Sequence, residues 1–305
     1  MYYRLIVLLW LGISLNACST ATPDFETLIR AYPDSLCAPC AEWNTPQKPF
    51  QIHHNTFYVG THQLSAILIT SSEGHVLIDA ALPNSAPLIM ENIRLLGFEP
   101  DDIKLILNSH VHFDHAGGIA AIQQVSGARV AASPASALVL ERGSVGPDDP
   151  QYGVHLDFPA VTNVERFTPG DTLQVGSIEI VSHATAGHTP GGTSWSWISC
   201  EGNRCVDVVY ADSQTPVSAY GFRYTDSATY PTALADFERG FRTLEQLPCD
   251  ILITTHPGAS SLWERFADGR AGLIDAQACQ RYAAAARQQL AERVSMETVG
   301  SQNHE

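Results

Sequence analysis

The amino-acid sequence predicts an α/β domain built of layers. Short apolar runs rich in Val and Ile end in polar residues, and such runs are typical of buried strands. Amphipathic segments with apolar residues at helical spacing alternate with them. The clearest strand-like runs are 104–107, 178–181, 206–210 and 250–253. Since alternating strands and helices pack as layers, we expect the ends of these strands to gather at one edge of the domain.

Four segments have the periodicity of α-helices, namely 87–96, 116–125, 230–247 and 277–294. The stretch 141–164 carries Gly, Pro and Asp instead and predicts a long loop, which at this length usually has a function or lacks order. We find neither an internal linker nor a repeat. The sequence therefore predicts one domain over residues 22–305, with disorder after about residue 297.

The charge balance limits the partners that the protein can have. The chain carries 17 Lys and Arg side chains against 32 Asp and Glu side chains, which gives a formal net charge of −15. Such a surface repels phosphate backbones, so we expect no nucleic-acid partner. No cation-rich or large apolar surface pattern predicts a protein partner, and we expect a monomer that acts on a small molecule.

The N-terminus has the form of an export signal. Arg4 provides a positive flank, and residues 5–11 are continuously apolar. That run is too short to span a bilayer, which takes about 20 apolar residues, so we expect a signal peptide over residues 1–21 and a periplasmic protein. The segment 15–18 resembles the bacterial lipoprotein signal and would allow a lipid anchor on Cys18. Ordinary cleavage after Ala21 is the alternative.

The cysteine count also favours export. There are seven cysteines, and setting Cys18 aside leaves an even number, as an oxidising compartment favours. We expect Cys200 and Cys205 to close a hairpin, because they bracket a short polar turn between two strand-like runs. Cys249 and Cys279 would join a strand start to a late helix. Cys37 and Cys40 then remain, either paired with each other or free.

One short segment concentrates metal-binding side chains. His110, His112, Asp114 and His115 lie within six residues. In an extended strand end His110 and His112 point the same way, because side chains there repeat every second residue. The turn that follows would direct Asp114 and His115 to a second position a few ångströms away. Imidazole and carboxylate suit zinc, so this segment predicts two adjacent zinc ions, provided that further ligands come from elsewhere.

Two later strand ends offer those further ligands. His188 lies in a Gly-His-Thr-Pro-Gly-Gly turn, and His256 follows an apolar strand. Asp79 ends another strand and is expected to be either a partner of a metal ligand or a structural residue. His62 and His155 fall in predicted loops near the site and are weaker candidates for contact with a substrate.

These motifs together resemble the metallo-β-lactamase family. The likeness extends over nearly the whole mature chain, including residues 76–81 and 210–213. Ser213 occupies a position where two subclasses of these enzymes have a zinc-binding cysteine, and serine there is typical of the third, subclass B3. The resemblance implies an αβ/βα four-layer sandwich, with two mixed β-sheets and helices on the outer faces.

The resemblance also implies the metal ligands and the reaction. It places His110, His112 and His188 on one zinc ion, and Asp114, His115 and His256 on the other. A metal-bridging hydroxide oriented by the catalytic residue Asp114 would then hydrolyse the amide bond of penicillins, cephalosporins and carbapenems and so give antibiotic resistance. Ser213 and Thr215 would bind the substrate carboxylate, and Gln151, with Tyr152 as a weaker candidate, would cover the substrate.

One departure and two alternatives qualify this interpretation. Relatives with a third disulfide have a cysteine where this chain has His62, so the departure concerns the geometry of the N-terminal loop and not the metal site. A lactonase or thioester hydrolase of the same fold would bridge both metals with an aspartate, here Asp212, from the strand before Ser213. A non-catalytic periplasmic zinc-binding protein is the second alternative.

Overall fold

In the computed structural model, residues 24–302 are described. The predicted signal peptide over 1–21 and the lipidation of Cys18 lie outside these residues and stay predictions. No helix between residues 24 and 302 combines the length and the apolar character that crossing a bilayer requires.

The described chain alternates strands and helices in the predicted way. The helices are α1 (Phe25–Arg30), α2 (Cys40–Trp43), α3 (Ala86–Leu95), α4 (Phe113–Ala116), α5 (Ile119–Ser126), α6 (Pro134–Arg142), α7 (Ala233–Gln246), α8 (Leu262–Phe266) and α9 (Ala278–Gln302). The strands are β1 (Phe50–His53), β2 (Thr56–Tyr58), β3 (Ile67–Ile69), β4 (His75–Ile78), β5 (Ile103–Leu107), β6 (Arg129–Ala132), β7 (Val164–Arg166), β8 (Thr172–Val175), β9 (Ile178–Ala184), β10 (Thr193–Glu201), β11 (Arg204–Ala211) and β12 (Ile251–Thr254).

The strands form two mixed sheets. The first has seven strands in the order β1-β2-β3-β4-β5-β6-β7, antiparallel from β1 to β4 and parallel from β4 to β7. The second has five strands in the order β12-β11-β10-β9-β8, in which only the pair of β11 and β12 is parallel.

Alternation along the strands explains why the sheets stack. In β3, Ile67 and Ile69 belong to an apolar core shared by the two sheets, whereas Leu68 between them belongs to the core under the helices. Successive side chains of a strand point to opposite faces, so strands that are apolar throughout need cover on both faces. Trp195, which has no exposed surface, contributes the largest fully buried side chain to the core between the sheets.

Helices cover the outer face of each sheet. Those of the N-terminal half, including α3 and α5, pack on the seven-stranded sheet. On the five-stranded sheet, α7 and α9 pack their apolar side chains, among them Phe237 and Ala283, against β11 and β12. The result is the expected αβ/βα four-layer sandwich.

One predicted helix is wrong in its extent. The segment 116–125 is two helices, because α4 ends at Ala116 and α5 begins at Ile119. Gly117 and Gly118 separate them where the chain presses against its neighbours. A Cβ atom on Gly118 would lie 2.3 Å from the carbonyl oxygen of Ala80, and one on Gly117 would lie 2.3 Å from Pro83. Only glycine fits at this close approach, and the two helices are interrupted there, with a ψ of −8° at Gly118.

The last helix is longer than predicted. α9 runs to Gln302, eight residues beyond the predicted end at Val294. The Glu297 carboxylate accepts hydrogen bonds from the backbone amides of Tyr224 and Thr225, and from Arg293 one turn earlier. These contacts tie the end of the helix to the segment before α7. Residues 303–305 lie outside the described part, so the expected disorder of the tail stays a prediction.

Three disulfides are present among the described residues. Cys200–Cys205 closes the β10–β11 hairpin, and Cys249–Cys279 joins the start of β12 to α9, both as expected. Cys37 and Cys40, whose state the sequence left open, form the third disulfide at the start of α2.

Candidate metal centre

Three chain segments meet at one edge of the two sheets. β5 leads into His110 and His112, the turn after β9 carries His188, and β12 leads into His256. β9 and β11 run in the same direction because each is antiparallel to β10, and β12 is parallel to β11. Their carboxyl ends therefore lie at the same edge of the second sheet, where the segment after β5 joins them.

Three histidines form the first triad. His110, His112 and His188 are all buried, and one ligand nitrogen from each lies within 4.8 Å of the others. Nε2 of His188 is 3.1 Å from Nδ1 of His112. Nε2 of His110 is buried and has no hydrogen-bond partner within residues 24–302.

Asp114, His115 and His256 form the second triad. Oδ2 of Asp114 lies 3.2 Å from Nε2 of His115 and 3.2 Å from Nε2 of His256, and these two nitrogens are also 3.2 Å apart. The rings of His110 and His115 have centroids 4.4 Å apart, so the two triads adjoin. The structure thus brings together all six residues that the sequence and the resemblance selected as metal ligands.

The spacing within each triad fits a metal ion. Ligand atoms bound at about 2.0–2.1 Å to a tetrahedral zinc ion stand about 3.3 Å apart. The facing nitrogens of His112 and His188 in the first triad are 3.1 Å apart, and the three pairs of the second triad are 3.2 Å apart. Two imidazole nitrogens that face each other need a shared proton or a cation between them. The buried Nε2 of His110, whose ring proton on Nδ1 goes to Asp212, presents a lone pair that no donor satisfies. The side chains therefore fit a metal ion in each triad.

Burial keeps the first triad in the metal-binding protonation state. It lowers the pKa of His112 and of His188 to about 3, and it lowers the pKa of His110 well below its usual value. All three rings are consequently neutral at pH 7, and a neutral imidazole has the free lone pair that a metal needs. In the second triad, burial opposes ionisation of Asp114, but the charges and hydrogen bonds of His115 and His256 together outweigh it and hold the pKa of this carboxyl well below its usual range.

The ring nitrogens that point away from the first triad are each held by an oxygen. Nδ1 of His110 is 2.7 Å from Oδ1 of Asp212. Nδ1 of His188 is 2.7 Å from the carbonyl oxygen of Thr215. Nε2 of His112 is 3.1 Å from each oxygen of Asp149. Each oxygen accepts the N–H of its ring and so leaves the lone pair on the nitrogen that faces the triad.

Asp79 supports the chain before the first triad. Its carboxylate accepts hydrogen bonds from the side chain of Asn108, from the backbone and hydroxyl of Ser109, and from the hydroxyl of Tyr210. Asp79 has a φ of +57°, a left-handed conformation that is costly for a residue with a Cβ. Of the two roles expected for Asp79, the structural one matches its hydrogen bonds.

The loop of residues 143–163, called the active-site loop below, covers the first triad. Gln151 lies on it with Nε2 3.4 Å from Nδ1 of His112, whereas the neighbouring Tyr152 is exposed. His155 stacks on His112 with ring centroids 4.1 Å apart, and its Nε2 is 3.7 Å from Oδ1 of Asp114. His155, a weaker candidate from the sequence, therefore contacts side chains of both triads.

Two other predicted substrate residues, Ser213 and Thr215, follow β11 and lie beside the triads. The hydroxyl of Ser213 is 2.8 Å from that of Thr255, next to His256. Thr215 contributes its carbonyl oxygen to His188. His62 is placed elsewhere, since its ring stacks on Trp263 with centroids 4.7 Å apart and its Nδ1 is 3.1 Å from Gln47. Substrate binding by Ser213, Thr215 and Gln151 stays a prediction.

Sequence reasoning missed Asp149. It lies in the predicted long loop, with its side chain buried against His112. Two adjacent aspartates before a proline, at residues 148–150, were visible in the sequence. Nothing in the spacing showed that the second of them reaches a histidine 37 residues earlier.

Comparisons with known proteins agree with this geometry. Residues 59–256 match the family model of the metallo-beta-lactamase superfamily. The solved structure of Rm3 metallo-beta-lactamase is 52% identical in sequence with a TM-score of 0.85, and the match covers 86% of this chain and 99% of that one. MEM-A1, a subclass B3 metallo-beta-lactamase from a soil metagenome library, is 45% identical with a TM-score of 0.83, over 85% of this chain and 99% of that one.

A lactonase shares a shorter stretch. The N-acyl homoserine lactonase of Bacillus thuringiensis is 35% identical over 17% of this chain, and the match spans only 30% of that relative.

The chain therefore belongs to the metallo-β-lactamase superfamily, as its family match, its four-layer sandwich and its paired triads show together. Within that superfamily it is a metallo-β-lactamase that resembles the enzymes of subclass B3.

Proposed function

We propose that the protein hydrolyses the amide bond of β-lactam antibiotics, namely penicillins, cephalosporins and carbapenems, with two zinc ions. One ion would be held by His110, His112 and His188, and the other by Asp114, His115 and His256. The observation that carries the proposal is the pair of adjoining triads, 4.4 Å apart between the rings of His110 and His115. It occurs in a chain 52% identical to the metallo-beta-lactamase Rm3.

The catalytic chemistry would be shared between metal and protein. Zinc ions in both triads would polarise the lactam carbonyl and lower the pKa of water from 15.7 to about 7. Asp114 is anionic, and its Oδ1 is free of the close contacts that Oδ2 makes with His115 and His256. Oδ1 would accept a hydrogen bond from the attacking water and so orient it. His155, 3.7 Å from that oxygen, would limit where the water can stand.

Hydroxyl and amide groups beside the triads would bind the substrate. β-Lactams carry a carboxylate, and Ser213 and Thr215 offer hydroxyl donors near His256 and His188. Gln151 on the active-site loop offers an amide, whose Nε2 is 3.4 Å from Nδ1 of His112. A substrate bound by these groups would present its lactam ring to both triads. The hydrogen-bond donors would then already be in position before the reaction begins.

The lactonase alternative rests on the shorter match. It requires an aspartate between the two metals, and Asp212 is the candidate. The structure favours the lactamase, because Oδ1 of Asp212 binds the outward Nδ1 of His110 rather than the second triad. A non-catalytic zinc-binding protein has no observation in its favour.

We further propose export to the periplasm, where β-lactams act and where the enzyme would give resistance as a monomer. Three disulfides among the described residues support an oxidising compartment. Whether Cys18 carries a lipid anchor is decided by the mass of the mature N-terminal peptide.

The experiment is a comparison of substrates with the purified, zinc-loaded protein. A carbapenem, a chromogenic cephalosporin and an N-acyl homoserine lactone are assayed side by side, each with and without a zinc chelator. We expect turnover of both lactams, its loss with chelator, and its recovery when zinc is restored. Turnover of the lactone with none of either lactam would contradict the proposal.

A further inference from the structure

Asp149 makes two connections from one buried carboxylate. Both of its oxygens lie 3.1 Å from Nε2 of His112, and Oδ1 also accepts the backbone N–H of Gln151 over 2.8 Å. Asp149 is only 3% exposed. One side chain thus contacts a ligand of the first triad and the part of the active-site loop that approaches the substrate position.

The next residue continues the connection to a second loop. The carbonyl oxygen of Pro150 accepts the backbone N–H of Ala219 over 2.8 Å. Four residues before Ala219, the carbonyl oxygen of Thr215 accepts the Nδ1 proton of His188. Nε2 of His188 in turn lies 3.1 Å from Nδ1 of His112. The two loops and the first triad therefore form one closed ring of contacts.

We propose that Asp149 is a positioning residue that couples the first metal site to the active-site loop, so that metal binding orders the loop carrying Gln151. The inference rests on the proposed function, because the ordering matters for a substrate bound by Gln151 and the hydroxyls of Ser213 and Thr215.

The chemistry of the carboxylate explains the coupling. By accepting the Nε2 proton of His112, Asp149 keeps the lone pair on Nδ1, toward the triad. A cation on Nδ1 makes the Nε2 proton more acidic and strengthens its hydrogen bond to the carboxylate. That bond in turn holds the oxygen to which the N–H of Gln151 is tied. Residues 143–163 contain neither helix nor strand. A few hydrogen bonds of this kind therefore determine whether the loop is ordered.

The experiment measures metal binding and loop order separately. The wild type, Asp149→Ala, Asp149→Asn and the control Asp148→Ala are each stripped of metal and titrated with zinc against a chromophoric chelator. Amide hydrogen exchange over residues 146–158 and 214–222 is then followed without zinc and at saturating zinc. Asp148 is the matched control because it is the adjacent aspartate but is exposed.

In the wild type and Asp148→Ala we expect zinc to slow exchange in both segments. Asp149→Ala should weaken the first zinc site about 10- to 100-fold, as loss of an outer carboxylate usually does. At saturating zinc its 146–158 segment should still exchange fast. Residues 214–222, held through Thr215 and His188, should be protected apart from the Ala219 amide, whose acceptor is Pro150 in the active-site loop. Asp149→Asn keeps an acceptor oxygen and should fall between the wild type and Asp149→Ala in both measurements.

Wild-type zinc affinity and wild-type protection of 146–158 in Asp149→Ala would overturn the proposal. A loss of zinc affinity and of protection in Asp148→Ala as large as that in Asp149→Ala would also overturn it. If Asp149→Ala does not fold, the isosteric Asp149→Asn decides, and unchanged affinity and protection in that variant would overturn it. None of these readouts uses turnover, so an enzyme that fails to hydrolyse β-lactams would refute the proposed function and leave this test intact.

Discussion

Oδ1 of Asp212 lies 2.7 Å from Nδ1 of His110, behind the ring whose Nε2 faces the first triad without a protein partner. The carboxylate is fully buried and follows directly after β11. An aspartate at this point can either support a histidine that binds metal or bridge two metals, so its role in zinc binding can be tested by substitution.

The first prediction follows from this position. Asp212→Ala should raise the zinc dissociation constant of the first site about 10- to 100-fold while the second site keeps its zinc, because only the support of His110 is lost. Competition with a chromophoric chelator measures both sites. Asp207→Ala, a change on the same strand away from the triads, is the control. Loss of zinc from both sites in Asp212→Ala would instead identify Asp212 as a bridge.

The second prediction concerns the substrate carboxylate. Ser213→Ala should raise KM for a carbapenem about tenfold or more and change kcat less, since a hydrogen bond to a charged group contributes about 1.5–3 kcal/mol and 1.4 kcal/mol is about a factor of ten. Steady-state kinetics provide the measurement. Ser196→Ala removes a hydroxyl that is bonded to His183 instead, and should leave KM unchanged. A fall in kcat with KM unaltered in Ser213→Ala would contradict the assignment.

The third prediction compares two disulfides. Cys249–Cys279 closes a sequence separation of 30 residues, and Cys200–Cys205 one of five. A cross-link that closes a longer loop removes more entropy from the unfolded chain. We therefore expect Cys249–Cys279 to stabilise the fold by about 3–4 kcal/mol and Cys200–Cys205 by about 2 kcal/mol. Replacing each pair by alanines and measuring urea unfolding tests the order. A larger loss of unfolding free energy on removal of the hairpin disulfide would show that chain entropy does not dominate the stabilisation.

The fourth prediction is a pH dependence of stability. Burial of the Glu297 carboxyl disfavours its charge, but the hydrogen bonds from Thr225, Tyr224 and Arg293 outweigh burial and lower its pKa. A carboxyl with a lowered folded-state pKa stabilises the fold above its unfolded pKa of about 4.3, and loses that contribution as the pH falls through the folded value.

Glu297→Gln should therefore lower the free energy of unfolding by about 1–3 kcal/mol at pH 7. The difference from the wild type should shrink as the pH falls below about 4. Urea unfolding at several pH values provides the measurement, and Glu292→Gln, an exposed position on the same helix, is the control. A difference that stays constant down to pH 3 would contradict the ionic role of Glu297.

Local patterns made much of the fold predictable. The strand predicted at residues 206–210 lies within β11, which ends in a run of four buried residues. The helix predicted over 230–247 matches α7 closely, because α7 buries one face at helical spacing. The break at Gly117 and Gly118 was not predictable, because it depends on Pro83 and Ala80, which belong to another segment of the chain. Helix periodicity alone carries no information about such a contact.

The metal ligands were more predictable than their surroundings. The four ligands between His110 and His115 could be predicted because they lie within six residues of the sequence. His188 and His256 could be predicted because each follows a strand-like run. Asp149 and Asp212 could not be assigned their roles in the same way, since hydrogen bonds to distant imidazole nitrogens depend on how loops fold over the site. Their sequence neighbours carry no matching signal.

The most direct test of the central claim is a zinc titration of the metal-free protein with carbapenem hydrolysis followed at each step. The account predicts no turnover without zinc, and activity that rises until two zinc ions are bound per chain, one to each triad. Two bound zinc ions per chain with no hydrolysis of the carbapenem would contradict it.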